Sequence, residues 1–212
     1  MQQVNTKTQT SAAPFVYETE DNGAADESVK VRLWTRDEYY QMAELGFFRG
    51  KRVELIEGEI IEMSPMKSLH MTGISLADEI LRAVFLSGFV IRVQAPLSFS
   101  EITEPEPDIA VVKGKIRDFT EAHPKTAELI VEVSDATIRY DRTKKAAIYA
   151  KNKIREYWIL NVKNRSLEVY RRPIRDKKLG FVYTEILILT EKDSVAPLAK
   201  PDAKIKIADI MP

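Results

Sequence analysis

Apolar residues line up at helical spacing across residues 67–87, at Leu69, Ile74, Leu76, Ile80, Leu81, Val84 and Phe85, and Gly88 ends the pattern. Upstream, Thr35 and Glu38 have the spacing of a capping box and predict a helix through Tyr39, Met42 and Leu45, stopped at Gly46. Between these two helices, Val53, Leu55, Ile60 and Ile61 flank Glu57-Gly58 and predict a hairpin. Residues 89–99 read as a strand in which Pro96 demotes part of the run to an edge or bulge. Residues 109–112 and 129–133 are continuous apolar runs, the pattern of strands buried on both faces. A second long helix is predicted over 141–151, with Ala146, Ala147, Ile148 and Tyr149 in its middle. Strands follow at 156–162, where Tyr157 and Trp158 alternate, and at 166–170, 181–184 and 186–189, with a short last one at 204–208.

A helix between the strands at 129–133 and 156–162 implies a crossover, so that pair is predicted to be parallel and right-handed. The fold class is α/β (α+β): a mixed, mainly antiparallel sheet flanked by helices. A length of 212 residues at 44% hydrophobic suits one domain, placed at 31–212, behind a tail at 1–30. The tail is rich in Gln, Thr, Ala, Glu and Asp and is expected to be disordered. It has no apolar core of the signal-peptide kind, and no stretch approaches the roughly 20 apolar residues of a membrane span, so a cytoplasmic, membrane-free protein is expected.

Composition narrows the chemistry. With no cysteine, disulfides and thiolate metal sites are excluded, and two histidines, His70 and His123, are too few for a histidine-rich zinc site. Any metal must be held by oxygen, which favours magnesium, manganese or calcium. A net charge of zero hides an asymmetry: residues 137–178 hold fourteen Lys and Arg against four acids, 14 − 4 = +10. Such a run is either a solvated basic face or a footprint for a phosphate backbone.

Two carboxylates stand out against this background. Asp108 closes Pro-Glu-Pro-Asp at the head of one apolar run, and Glu132 sits inside the other. A charge in a buried strand costs several kcal/mol unless it is paired or bound to a cation. The plain reading is two ion-paired structural acids. The sharper one is a hard-cation site, because Pro107 sets Asp108 at the start of its strand and Ser134-Asp135 opens the other strand end to solvent. The carbonyl of Val133 would be a natural third ligand. Lys145, on the helix that follows, is within reach of that strand end, and two carboxylates, a divalent cation and a lysine form a hydrolytic set for phosphodiesters. The competing role for Lys145 is an i,i+4 pair with Asp141.

Pro107-Asp108 followed by Glu132 in an apolar strand resembles the PD-(D/E)xK nuclease superfamily, but Ser134 stands where its lysine is usual. The stretch from Leu129 to Ala150, followed by Arg155-Glu-Tyr-Trp-Ile-Leu, is similar to the Uma-two family of restriction-endonuclease-like proteins. The resemblance runs from about Trp34 to Met211. It implies a restriction-endonuclease-like fold, a lysine displaced to Lys145, and, through the match at Val53 to Glu59, Glu54 as a further acid of the metal site. A strand-edge glutamate facing solvent is the other reading of Glu54. The resemblance also brings in His70 at the head of the long helix as a contact to phosphate or water.

Arg142 and Lys144 are candidate substrate contacts, and Tyr149, four residues after Lys145, is expected to bring its hydroxyl near the site. His123 is expected to be structural. The leading expectation is a magnesium- or manganese-dependent DNA endonuclease, a homodimer by analogy with enzymes that cut two strands, with residues 181–189 as an edge for pairing. The alternatives are a non-catalytic nucleic-acid-binding protein on the same fold and a globular interaction protein that touches no nucleic acid.

Overall fold

The computed structural model describes residues 30–212, so nearly all of the tail expected to be disordered lies outside the described residues. Helix α1 (Arg36–Glu44) opens on the expected capping box: Thr35 Oγ1 accepts from the Glu38 amide at 3.3 Å, and the Glu38 carboxylate accepts from the Thr35 amide at 3.0 Å. Strands β1 (Val53–Ile56) and β2 (Glu59–Glu62) form the hairpin. Its turn residues Glu57 and Gly58 have φ of 51° and 83°, the left-handed pair that matches the twist of flanking strands. Helix α2 (Ser68–Val84) follows.

Strand β3 (Phe89–Val93) is shorter than the expected 89–99, because Gln94 turns to φ 48° and Pro96 has no amide to donate. Strand β4 (Ile109–Lys113) leads through a 3-10 turn (Ile116–Phe119) to β5 (Leu129–Ser134). The lysine helix has three parts: α3 (Ile138–Tyr140), a π-helical turn (Asp141–Lys145) and α4 (Ala146–Lys151). It leads to β6 (Glu156–Asn161). Strands β7 (Ser166–Asp176) and β8 (Gly180–Thr190) form one long hairpin in place of three short strands. At the C-terminus, β9 (Ser194–Val195) pairs with β10 (Ile205–Lys206), which is shorter than the last strand expected over 204–208 because α5 (Ile207–Ile210) begins at Ile207.

The main sheet has the order β3-β4-β5-β6-β7-β8. The β5–β6 pair is parallel, as the crossover helix required, and its other pairs are antiparallel. Both faces are covered. Val131, Val133, Trp158 and Leu160 pack beneath α2 and α5, while Ile130, Tyr157, Ile159 and Tyr170 pack beneath α4 and Ile56 of the hairpin. Tyr157 and Trp158 are therefore both core residues, one on each face. Gly73 lets α2 lie close on the sheet, since a Cβ there would come within 2.9 Å of Val133 Cγ1. The head of α2 thereby reaches the end of β5 where the carboxylates stand. No described helix is long and apolar enough to cross a membrane.

Candidate active site

The β4–β5 register pairs Ile109 with Val131, so one step further sets Asp108 beside Glu132. The Asp108 amide donates to Glu132 Oε2 at 3.2 Å, and the Val133 amide donates to Asp108 Oδ2 at 2.8 Å. That second bond fixes the direction of the Val133 backbone, since the amide and carbonyl of one residue in a strand point to the same neighbour. Extended one more residue, the register places Pro107 opposite Val133, and proline has no amide for that carbonyl. The strand end thus offers two carboxylates and a backbone oxygen without a ladder donor.

Lys145 reaches the same point from the π-helical turn. Its Nζ lies 2.7 Å from Glu54 Oε2 and 3.3 Å from Glu132 Oε1. The i,i+4 pair with Asp141 does not form, and Asp141 Oδ2 instead accepts from Thr137 Oγ1 at 2.8 Å. The reason is local. The Ala146 amide bonds to the Asp141 carbonyl, an i→i+5 closure, and the extra residue in the turn rotates Lys145 away from Asp141. Tyr149, one α-helical turn on, donates its hydroxyl to Glu132 Oε1 at 2.5 Å. Glu54 is not a solvent-facing strand edge: it is 2% exposed, and its Oε2 also accepts from the Glu106 amide at 3.1 Å.

His70 Nε2 stands 3.3 Å from Asp108 Oδ1. Arg142 is held in a two-point grip on buried Glu168, with contacts of 3.0 and 2.6 Å. Lys144 pairs with Glu57 at 3.0 Å, beside Lys151 at 2.7 Å. Both Arg142 and Lys144 are thus engaged by acids. Among the described residues, seven of the fourteen cations in 137–178 form ion pairs, so the basic run is narrower as a surface than as a sequence.

Burial dominates the electrostatics. It pushes the Glu132 carboxyl up to about 8, against the pull of Lys145; Asp108 and Asp141 push further up, and the Tyr149 hydroxyl pulls down. Burial alone would lower Lys145, but the charges of Glu132 and Glu54 outweigh it and raise the ammonium above its ordinary range. Lys145 is therefore a fixed cation. The hydrogen bond from Asp108 raises His70, with burial opposing. Burial also raises Asp141. Sequence reasoning treated Asp141 only as a partner for Lys145 and missed it as a third carboxylate in the electrostatic reach of Asp108 and Glu132. It also gave no role to Tyr140, which flanks the lysine helix and whose buried hydroxyl has no hydrogen-bond partner among the described residues while feeling the charges of Glu54 and Lys145. The i,i+4 spacing assigns Asp141 to Lys145, because the π-helical turn between them leaves no mark in the sequence.

The family described as "Uma2: Putative restriction endonuclease" matches residues 36–206. The chain belongs to the Uma2 family. The crystal structure of "a putative nuclease belonging to DUF820 from Anabaena variabilis ATCC 29413" is similar to it at a TM-score of 0.62 and 17% identity, covering 83% of this chain and 96% of that one. That likeness bears on the fold, and the mixed sheet with flanking helices is nuclease-like. No curated protein matches the chain.

The Uma2 site can be tested against the metal that nuclease folds commonly use. Among the described residues no three side chains of His, Asp or Glu gather closely enough to hold a metal ion by themselves. Two adjacent carboxylates and a carbonyl facing proline match the way magnesium is usually held in phosphoryl-transfer sites, by one or two carboxylates with water and substrate oxygens completing the shell. The mutual repulsion of Asp108, Asp141 and Glu132 is what a divalent cation would relieve. The donor set fits.

Proposed function

We propose that this chain is a metal-dependent DNA endonuclease that hydrolyses phosphodiester bonds. Lys145 carries this reading: from a helix rather than from the Glu132 strand, its Nζ reaches Glu132 Oε1 at 3.3 Å, which supplies the lysine that Ser134 lacks. Asp108, Glu132 and the Val133 carbonyl would hold magnesium or manganese, whose bound form polarises a phosphoryl oxygen and lowers the pKa of a water. Lys145, kept protonated, orients that water and offsets charge building on the phosphoryl oxygens; it does not act as the base. Glu54 seats the lysine, since the ammonium takes the same Oε2 that the Glu106 amide already uses. Tyr149 fixes the Glu132 carboxylate. His70 holds Asp108 and would contact an incoming phosphate or water. The working form is a homodimer paired along the outer edge of β8, where Ile186 and Ile188 are 38% and 65% exposed.

Purified protein should nick or cut plasmid DNA with added magnesium or manganese. Asp108→Ala, Glu132→Ala and Lys145→Ala should each abolish cutting while leaving the circular dichroism spectrum folded. Cutting that persists in all three variants would overturn the assignment.

A further inference from the structure

Four arginines of the described residues are half-buried: Arg36, Arg52, Arg92 and Arg171. Three have carboxylate partners, Arg36 with Glu101 at 3.2 Å, Arg52 with Glu106 at 3.7 Å and Arg171 with Glu156 at 2.6 Å. Arg92 has none among the described residues. Its Nη2 lies 3.0 Å from His123 Nδ1, its guanidinium lies 5.9 Å from the centre of the Phe119 ring, and its buried Nε has no hydrogen-bond partner. A partly desolvated guanidinium without a counter-ion is costly. Among the described residues, the acid whose charge reaches His123 is Glu104, and it is already held by Tyr40, Ser98 and Arg36.

His123 completes a donor pair. Burial and the charges of Arg92 and Arg36 hold its imidazole below its ordinary value, against Glu104, so the ring is neutral. With Nδ1 accepting from Arg92, the ring proton sits on Nε2, which is left as a donor. In the sheet, Arg92 is opposite Ala110, and Asp108 lies two residues before Ala110 on the same face. Arg92 and Asp108 are thus diagonal neighbours, with backbones about 7–8 Å apart.

We infer that Arg92 and His123 form an anion seat that takes a phosphate group. A planar guanidinium offers forked donors matched to phosphate oxygens, and the neutral imidazole adds a third. In a nucleic acid the occupant is a phosphate flanking the one at Asp108, and this part rests on the endonuclease reading; a free phosphate would use the same donors.

Two measurements decide it. In the first, inorganic phosphate is titrated into the 15N-labelled full chain at constant ionic strength, with the Arg92 Nε–Hε and His123 ring signals followed by NMR. Saturable shifts of both signals, absent in Arg92→Gln and reduced in Arg92→Lys, are expected. Their absence in the wild type overturns the seat, whether or not the variants fold. In the second, a 20-base-pair duplex is bound in calcium, which supports binding without demanding turnover. Arg92→Gln should weaken binding roughly tenfold, the loss expected for one charge-assisted contact, and reduce the salt slope by about one. Phosphate shifts with an unchanged duplex affinity identify free phosphate as the occupant and keep the seat. A wild type that binds no duplex removes the endonuclease reading, while the phosphate titration still decides the seat.

Discussion

Glu132 is 5% exposed and touches Lys145, Tyr149 and the Asp108 amide, so its protonation couples the site to the stability of the fold. Its carboxyl is raised in the folded state from 4.5 to about 8. The folded chain therefore binds a proton that the unfolded chain has released. The resulting stabilisation is fully present below the unfolded value and is lost as pH rises through the folded one. Thermal unfolding of metal-free protein should move to lower temperature between about pH 5 and about pH 9, and Glu132→Gln should flatten that dependence. His70, raised by Asp108, adds to the wild-type slope in the same direction. A variant slope as steep as the wild type's would mean that Glu132 is already ionised throughout that range. Sequence reasoning picked out Asp108, Glu132 and Lys145 because charged residues beside apolar runs need an explanation. It could not choose between Asp141 and Glu132 as partner of Lys145, because both were compatible with the spacing.

At the scale of elements, the turns and caps were the most legible features. Thr35, Glu38, Glu57 and Gly58 act through bonds to residues no more than a few positions away, so their local chemistry suffices. Thr35→Ala should cost about 1 kcal/mol in a urea titration, the usual value of a lost N-cap. The π-helical turn over Asp141–Lys145 was illegible, since its extra residue leaves no mark in the periodicity. Gly73 was equally silent: within the helical pattern it looks like a tolerated weakness, while in the structure it sets the distance between α2 and β5. Gly73→Ala forces a methyl against Val133 and should destabilise the chain by about 1–3 kcal/mol despite the better helix propensity of alanine. A stabilised Gly73→Ala protein would show that α2 can move outward freely. The same variant should draw His70 away from Asp108 and lower the histidine pKa toward its ordinary value, which NMR titration reads directly.

For the whole molecule, charge and edges matter most. A count of +10 over 137–178, which already includes Glu156 and Glu168, suggests a broad basic face, but Glu54, Glu57, Glu132, Glu185 and Glu191 from outside the segment pair with Lys144, Lys145, Lys151, Arg165 and Arg172 and offset part of it. DNA binding should therefore depend on salt with a slope of a few phosphates rather than ten. Fluorescence anisotropy across a salt series checks this, and a slope near −10 would mean that the ion pairs open on binding. Sedimentation equilibrium should return twice 24.2 kDa if the β8 edge pairs, and Ile188→Lys should return the single mass. A wild type of single mass would sink the dimer.

The sequence by itself determined the order of the main helices and strands as far as β6, the mixed sheet with its parallel β5–β6 step, and the absence of any thiolate ligand. Each of these follows from periodicity, composition or chemistry carried within a short stretch of chain. Only the tertiary structure decided that Glu54 is buried against Lys145, that Asp141 turns to Thr137, that Arg142 and Lys144 are engaged by acids, and that Arg92 has no carboxylate partner among the described residues. Those outcomes depend on which distant side chains compete for the same charge. That competition is settled by strand register, by helix rotation through the π-helical turn, and by the close approach that Gly73 allows.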